Sequence, residues 1–120
     1  MTELTGALGE VFAGRYLRER GYRLICANYH TRMGEIDIVA EKDGVLIFIE
    51  VKTRGEGMIA PPAESVGREK QRRLVRAAGV FLRAEPPDRV TRFDVIEVFL
   101  DADDKPRHIN HIQNAFDSNI

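Results

Sequence analysis

The chain has 120 residues, 31% charged and 43% hydrophobic, with a net charge of −1 and a pI near 6.3. That length suits one domain with a real core, so residues 1–120 are read as a single unit. The one cysteine, Cys26, excludes an intramolecular disulfide and a multi-cysteine zinc site. No apolar run is long enough to span a membrane. The N-terminus lacks the basic start of a signal peptide, so the cytoplasm is the expected location. The balanced charge gives no overall pull toward nucleic acid, and any such pull must come from a local patch.

Residues 3–20 read as an amphipathic helix in which Leu4, Leu8, Val11, Phe12 and Leu17 follow helical spacing and Gly21 is the stop. Gly6, Gly9 and Gly14 each weaken it by up to about 1 kcal/mol relative to Ala, which implies that the helix lies very close to another backbone. Glu10, between Gly9 and Val11, is by itself an ordinary helix carboxylate. Tyr22–Tyr29 reads as a first strand, in which Cys26 is expected as a buried thiol. A turn over residues 28–34 follows. His30, with no second histidine at ligand spacing, belongs to a surface loop.

Residues 34–54 are the centre of the chain. Two alternating apolar runs flank Asp43-Gly44, the strongest short signal for a two-residue type I′ hairpin. With that turn, Lys42 faces Val45, Val39 faces Phe48, Asp37 faces Glu50 and Glu35 faces Lys52. Ile36, Ile38, Ala40, Val45, Ile47, Ile49 and Val51 then form the opposite, buried face. Asp37 and Glu50 would have Cβ atoms on the order of 5 Å apart. Two carboxylates so placed repel unless a proton or a cation joins them. A solvated hairpin face with Glu35–Lys52 as an ordinary ion pair is the alternative.

A Gly- and Pro-containing loop over residues 53–63 follows, either substrate-facing or a simple connector. Residues 65–84 form a second helix with Ser65 as N-cap and a buried stripe of Leu74, Ala77, Ala78, Phe81 and Leu82. Its Arg68, Lys70, Arg72, Arg73 and Arg76 oppose only Glu69. They form either a solvated face or a phosphate-contacting one, with Gln71 a neutral donor turned toward the hairpin. Pro86-Pro87 ends the helix. Val90–Leu100 is a long strand carrying Arg92 and Asp94 on one face. Residues 101–106 form a turn whose acids are too close together for an EF-hand. Arg107–Gln113 is a last short strand that sends His108 and His111 to opposite faces, which argues against a zinc pair. The order α-β-β-β-α-β-β implies an α/β fold in which the second helix crosses over to a parallel strand.

Gly-Glu-Ile-Asp (34–37), Phe-Ile-Glu-Val-Lys-Thr-Arg (48–54), Lys-Gln-Arg-Arg-Leu (70–74) and Arg-Phe-Asp-Val-Ile (92–96) together resemble the bacterial YraN-like family. So do Gly-Glu at 9–10, Asn28-Tyr29 and Asn-Ala-Phe at 114–116, and the likeness covers nearly the whole chain. That family is similar in fold to restriction endonucleases and archaeal Holliday junction resolvases. The resemblance therefore implies a restriction-endonuclease-like fold, a central mixed β-sheet flanked by helices. It also implies a nuclease pattern of an acid on the first helix, an Asp, and then Glu-x-Lys. Here these are Glu10, Asp37, Glu50 and Lys52. Met-Ile-Ala-Pro-Pro at 58–62 departs from the pattern, where a Phe-Gly pair is expected before the proline.

The resemblance implies that Asp37 and Glu50, with Glu10 directly or through water, hold Mg²⁺ or Mn²⁺. Lys52 would orient the attacking water and stabilise charge. Arg68, Lys70, Gln71, Arg72, Arg73 and Arg76 would contact the nucleic-acid backbone. The expected function is metal-dependent cleavage of DNA, with branched or structured DNA as the substrate and a homodimer as the resolvase-like assembly. The alternatives are a nucleic-acid-binding module of the same fold with weak, partner-dependent or no cleavage, and a structural domain with an incidental acidic face.

Overall fold

In the computed structural model, residues 3–55 and 66–118 are described. A helix α1 (Glu3–Glu19) leads into three antiparallel strands, β1 (Arg23–His30), β2 (Glu35–Lys42) and β3 (Val45–Arg54). Helix α2 (Arg68–Phe81) and a short 3-10 turn (Leu82–Ala84) connect β3 to β4 (Thr91–Leu100), and β5 (Pro106–Phe116) ends the sheet. The strands lie in the order β1-β2-β3-β4-β5, with β3 and β4 parallel and the other pairs antiparallel. This mixed sheet with a helix on each face is the α/β arrangement of the restriction-endonuclease-like fold.

The hairpin forms as its turn chemistry requires. Asp43 and Gly44 both have positive φ, 52° and 79°, as a type I′ turn demands, and Lys42 pairs with Val45. The sheet is buried on both faces. Ile38, Ala40, Ile47, Ile49, Ile96, Val98 and Leu100 pack beneath α1 through Ala13 and Leu17. Ile36, Val39, Leu46, Phe48, Phe93 and Val95 pack beneath α2 through Leu74, Ala77 and Ala78. A fully buried Leu such as Leu17 contributes about 1.5–3 kcal/mol. Helix α1 presses on β3 so closely that a Cβ on Gly9 would lie 1.9 Å from Thr53 Oγ1. Close approach thus explains Gly9, whereas a Cβ on Gly6 would meet nothing.

Several expectations need correction. Ile36 joins the α2 side and not the face of Ile38, because the β2–β3 pairing runs only from Lys42–Val45 to Ile38–Ile49. Beyond that point β2 stays paired to β1 alone, so Asp37 and Glu50 are not ladder partners, and neither are Glu35 and Lys52. Helix α2 begins at Arg68 behind an N-cap at Gly67, three residues later than expected; Ser65 and the 58–62 segment lie outside the described residues. Cys26 is half-buried, and burial raises its thiol pKa.

Strand β5 is longer than expected, running to Phe116. Its extension has a physical cause in the fully buried Asp94. One Asp94 oxygen accepts from Arg92 Nε (2.8 Å) and the Asn114 backbone N–H (3.0 Å). The other accepts from Arg92 Nη2 (2.9 Å) and contacts His111 Nε2 (2.7 Å). His111 Nδ1 in turn lies 3.1 Å from the Tyr16 hydroxyl, so this polar cluster fastens β5 to both β4 and α1. Burial disfavours the charged Asp94, but its hydrogen bonds from His111, Arg92 and Asn114 outweigh that and lower its pKa. His108, by contrast, is exposed, with its ring tilted against Phe99 at 5.6 Å between centroids.

Candidate active site

The parting of β2 from β3 creates the site. Where the ladder stops, Val51 loses a backbone partner for its N–H, and Asp37 Oδ2 accepts that hydrogen at 2.8 Å. Asp37 is thereby drawn into the fork between the strands. Its pKa is pushed up to about 7, first by burial and then by the charge of Glu50, with a smaller push from Glu10. The Val51 hydrogen bond and Lys70 work in the other direction.

Glu50 is 6% exposed and lies on the α2 side of β3. Its Oε1 is 2.8 Å from Lys70 Nζ and 3.8 Å from Lys52 Nζ. Burial, together with the neighbouring Lys70 charge, lowers the pKa of Lys52 despite the attraction of Glu50. Burial also opposes the charge on Lys70, but its hydrogen bond and ion pair with Glu50 prevail and raise its pKa. Glu10 approaches from α1, held near β3 by the Gly9–Thr53 contact. Its Oε1 is buried without a hydrogen-bond partner among the described residues, and burial, then Glu35 and Glu50, raise its pKa.

Glu10, Asp37, Glu50 and Lys52 therefore share one electrostatic neighbourhood, drawn from α1, β2 and β3. The predicted basic face divides. Lys70 belongs to the carboxylate cluster. Gln71 donates to the Val66 carbonyl (2.8 Å) and secures the start of α2. Arg72 pairs with Glu69 on its own helix at 3.6 Å. Arg68, Arg73 and Arg76 are exposed. Glu35 contacts His30 (3.0 Å) and not Lys52. The role of Lys70 had one sequence signal, its place in the Lys-Gln-Arg-Arg-Leu motif, but nothing there pointed it at Glu50.

Among the described residues, no three His, Cys, Asp or Glu side chains already converge as a metal cage. The donor set still suits a hard dication: all oxygen, mutually repelling, with one Glu10 oxygen unpartnered. An ammonium, that of Lys70, now supplies the positive charge beside Glu50.

The sequence matches the family described as "Uncharacterised protein family UPF0102" over residues 9–98. It is 44% identical over 119 residues to a UPF0102 protein of Alkaliphilus oremlandii, covering 97% of this chain and 100% of that one. It is also 44% identical over 119 residues to UPF0102 protein STH1475 of Symbiobacterium thermophilum, covering 97% of this chain and 98% of that one. A UPF0102 protein of Syntrophomonas wolfei is 40% identical over 119 residues, covering 97% and 100%. Among the described residues no helix is long and apolar enough to cross a membrane. With one family spanning the fork, both helices that meet it and most of β4, the chain belongs to UPF0102, the YraN-like family its motifs resemble.

Proposed function

We propose that this chain is a divalent-metal-dependent nuclease that hydrolyses phosphodiester bonds in DNA. The observation that carries the reading is the fork. A carboxylate raised to about 7, a second buried carboxylate and a third with an unpartnered oxygen are gathered beside a lysine of lowered pKa. Such repulsion is costly in a site with no use for a cation. Asp37 and Glu50 would hold Mg²⁺ or Mn²⁺, with Glu10 as the third acid, and Lys70 would give up its hold on Glu50. When bound, the ion would supply Lewis-acid polarisation of the phosphate and acidify a water.

The side chains have separable tasks. Lys52, half-buried beside Glu50, can share a proton with the attacking water because its lowered pKa eases the exchange. When charged, it offsets the negative charge that grows on the phosphate. Once free of Glu50, Lys70 would add a second cation on the α2 side. The Val51 N–H fixes the Asp37 carboxylate, so its free oxygen has a set direction.

A second reading has its own support. Glu50 is held by Lys70 at 2.8 Å, which suits a nucleic-acid-binding module with weak or partner-dependent cleavage. Cleavage of labelled four-way junction, flap, single-stranded and linear duplex DNA, with Mg²⁺ and with Mn²⁺, separates the two. Wild-type cleavage that is lost in both Glu50→Gln and Lys52→Ala is the expected result. Binding without cleavage in either metal would refute the nuclease and leave the binding module.

A further inference from the structure

The β1–β2 turn and α2 enclose a basic furrow that starts at Lys70, the residue that contacts Glu50. Its inner end is a cavity of about 470 Å³ lined by Glu35, Lys70, Arg73 and the 30–34 turn. The space continues past Met33 and Arg32 to Arg83 in a cavity of about 640 Å³, and past Arg76 to Arg83 in one of about 510 Å³. From Lys70 to Arg83 the floor is roughly 20 Å long at the helical rise of 1.5 Å per residue.

The outer wall is built to stay in place. Thr31 Oγ1 donates to Gly34 O (2.8 Å) and accepts from Met33 N (3.0 Å) and Gly34 N (3.1 Å). Gly34 has φ +156°, and a Cβ there would come within 3.2 Å of Arg73 O, so the turn sits directly on the helix. Arg32 and Met33 are thereby held at the tip, facing Arg73, Arg76 and Arg83. These four arginines are exposed, and none pairs with a carboxylate among the described residues. Met33 is 48% exposed in their midst, a large apolar side chain where solvation alone would favour a polar one.

We infer that this furrow holds a single DNA strand, with the arginines on its phosphates and Met33 against the face of an unpaired base. A row of cations without acidic partners fits a polyanion, and an apolar tip among them fits the face of a base, the largest apolar surface a nucleic acid offers. In a duplex that surface is covered by the neighbouring base pairs; in an unpaired strand it is open. The furrow's inner end is lined by Lys70, whose Nζ lies 2.8 Å from Glu50 Oε1, so the strand would be led toward the carboxylates. That direction rests on the nuclease reading, whereas the binding itself does not. The substrate class that follows is DNA with an unpaired segment, such as a flap or a splayed end.

The test is metal-free binding of fluorescent single-stranded, flap and blunt duplex DNA across a salt series, so that cleavage plays no part. Removing two phosphate contacts in Arg76→Ala/Arg83→Ala should flatten log K against log salt for the single strand by about 1.4. Met33→Ala should weaken single-stranded and flap binding about fivefold, leave blunt duplex unchanged, and be rescued by Met33→Leu. An Arg15→Ala/Arg107→Ala protein serves as the control, because those residues line a separate cavity between α1 and β5. If that control loses the slope and the furrow variant keeps it, the furrow is overturned. An equal effect of Met33→Ala on all three DNAs, or on none, overturns the contact with unpaired bases. Furrow-dependent binding in a protein that cleaves nothing would defeat the nuclease reading and leave the strand path standing.

Discussion

Replacing Asp37 with Asn isolates the cost of the fork. The folded protein raises this carboxyl from 3.8 to about 7, so near pH 8 the chain carries a charge that folding disfavours. At 1.36 kcal/mol per pH unit the ceiling is about 4 kcal/mol. Asp37 is only partly buried, so solvent screening lowers that ceiling, and we expect about 1–3 kcal/mol from Asp37 alone. The sign follows from linkage. Between pH 4 and pH 7 the folded state binds more protons than the unfolded chain, so stability falls as pH rises through that window. Asn keeps the carbonyl that accepts from Val51 and cannot ionise. Asp37→Asn should therefore melt higher than wild type at pH 8 without metal, by about 4 °C per kcal/mol, and match it near pH 4. Adding Mg²⁺ or Mn²⁺ should raise the wild-type melting temperature and close the gap, while leaving the Asn protein almost unmoved. Thermal melts at pH 4, 6 and 8, with and without metal, read all of this. A variant that is no more stable at pH 8, or a difference that does not vary with pH, would refute the argument.

Two further outcomes follow from contacts around the fork. Lys70→Met removes the ammonium that competes for Glu50 at 2.8 Å, so calorimetry should find Mn²⁺ binding about tenfold tighter than in wild type, and weaker binding would mean that Lys70 supports the ion rather than standing in for it. Gly9→Ala would thrust a Cβ to 1.9 Å from Thr53 Oγ1, which should cost about 1–3 kcal/mol in urea unfolding and be partly recovered by Thr53→Ala; a neutral Gly9→Ala would mean that α1 is not pinned to β3 there.

Much of the architecture was legible in the sequence because it rests on short-range rules. Asp43-Gly44 sets its own turn, and a two-residue loop determines which residues pair beside it, as Lys42–Val45 and Val39–Phe48 do. A helix between β3 and β4 makes a parallel crossover because a tight turn cannot join parallel strands. Gly9 signalled a close approach, whereas Gly6, read by the same rule, faces no contact. The same alternation placed Asp37 and Glu50 near one another, and the Gly-Glu at 9–10 put a third acid on the helix.

Other contacts depend on how those elements pack. The hairpin pattern would run on past Ile38, but β2 follows β1 while β3 follows β4, and the fork they leave draws Asp37 onto the Val51 N–H. Which face of α2 meets Glu50 is set by the seating of Leu74, Ala77 and Ala78. That seating sends Lys70 into the site and leaves Arg73 and Arg76 outside it. Arg32 and Arg83 join them only because the Thr31–Gly34 turn is laid along α2, with Gly34 at Arg73 and Met33 sharing a cavity with Val80 and Arg83. The three residues that extend β5 beyond Gln113 depend on Asp94, whose partners Asn114 and His111 are 20 and 17 residues away in sequence. Turn chemistry and periodicity act over a few neighbours; burial, strand divergence and charge pairing act between segments, and there only the packed molecule sets the outcome.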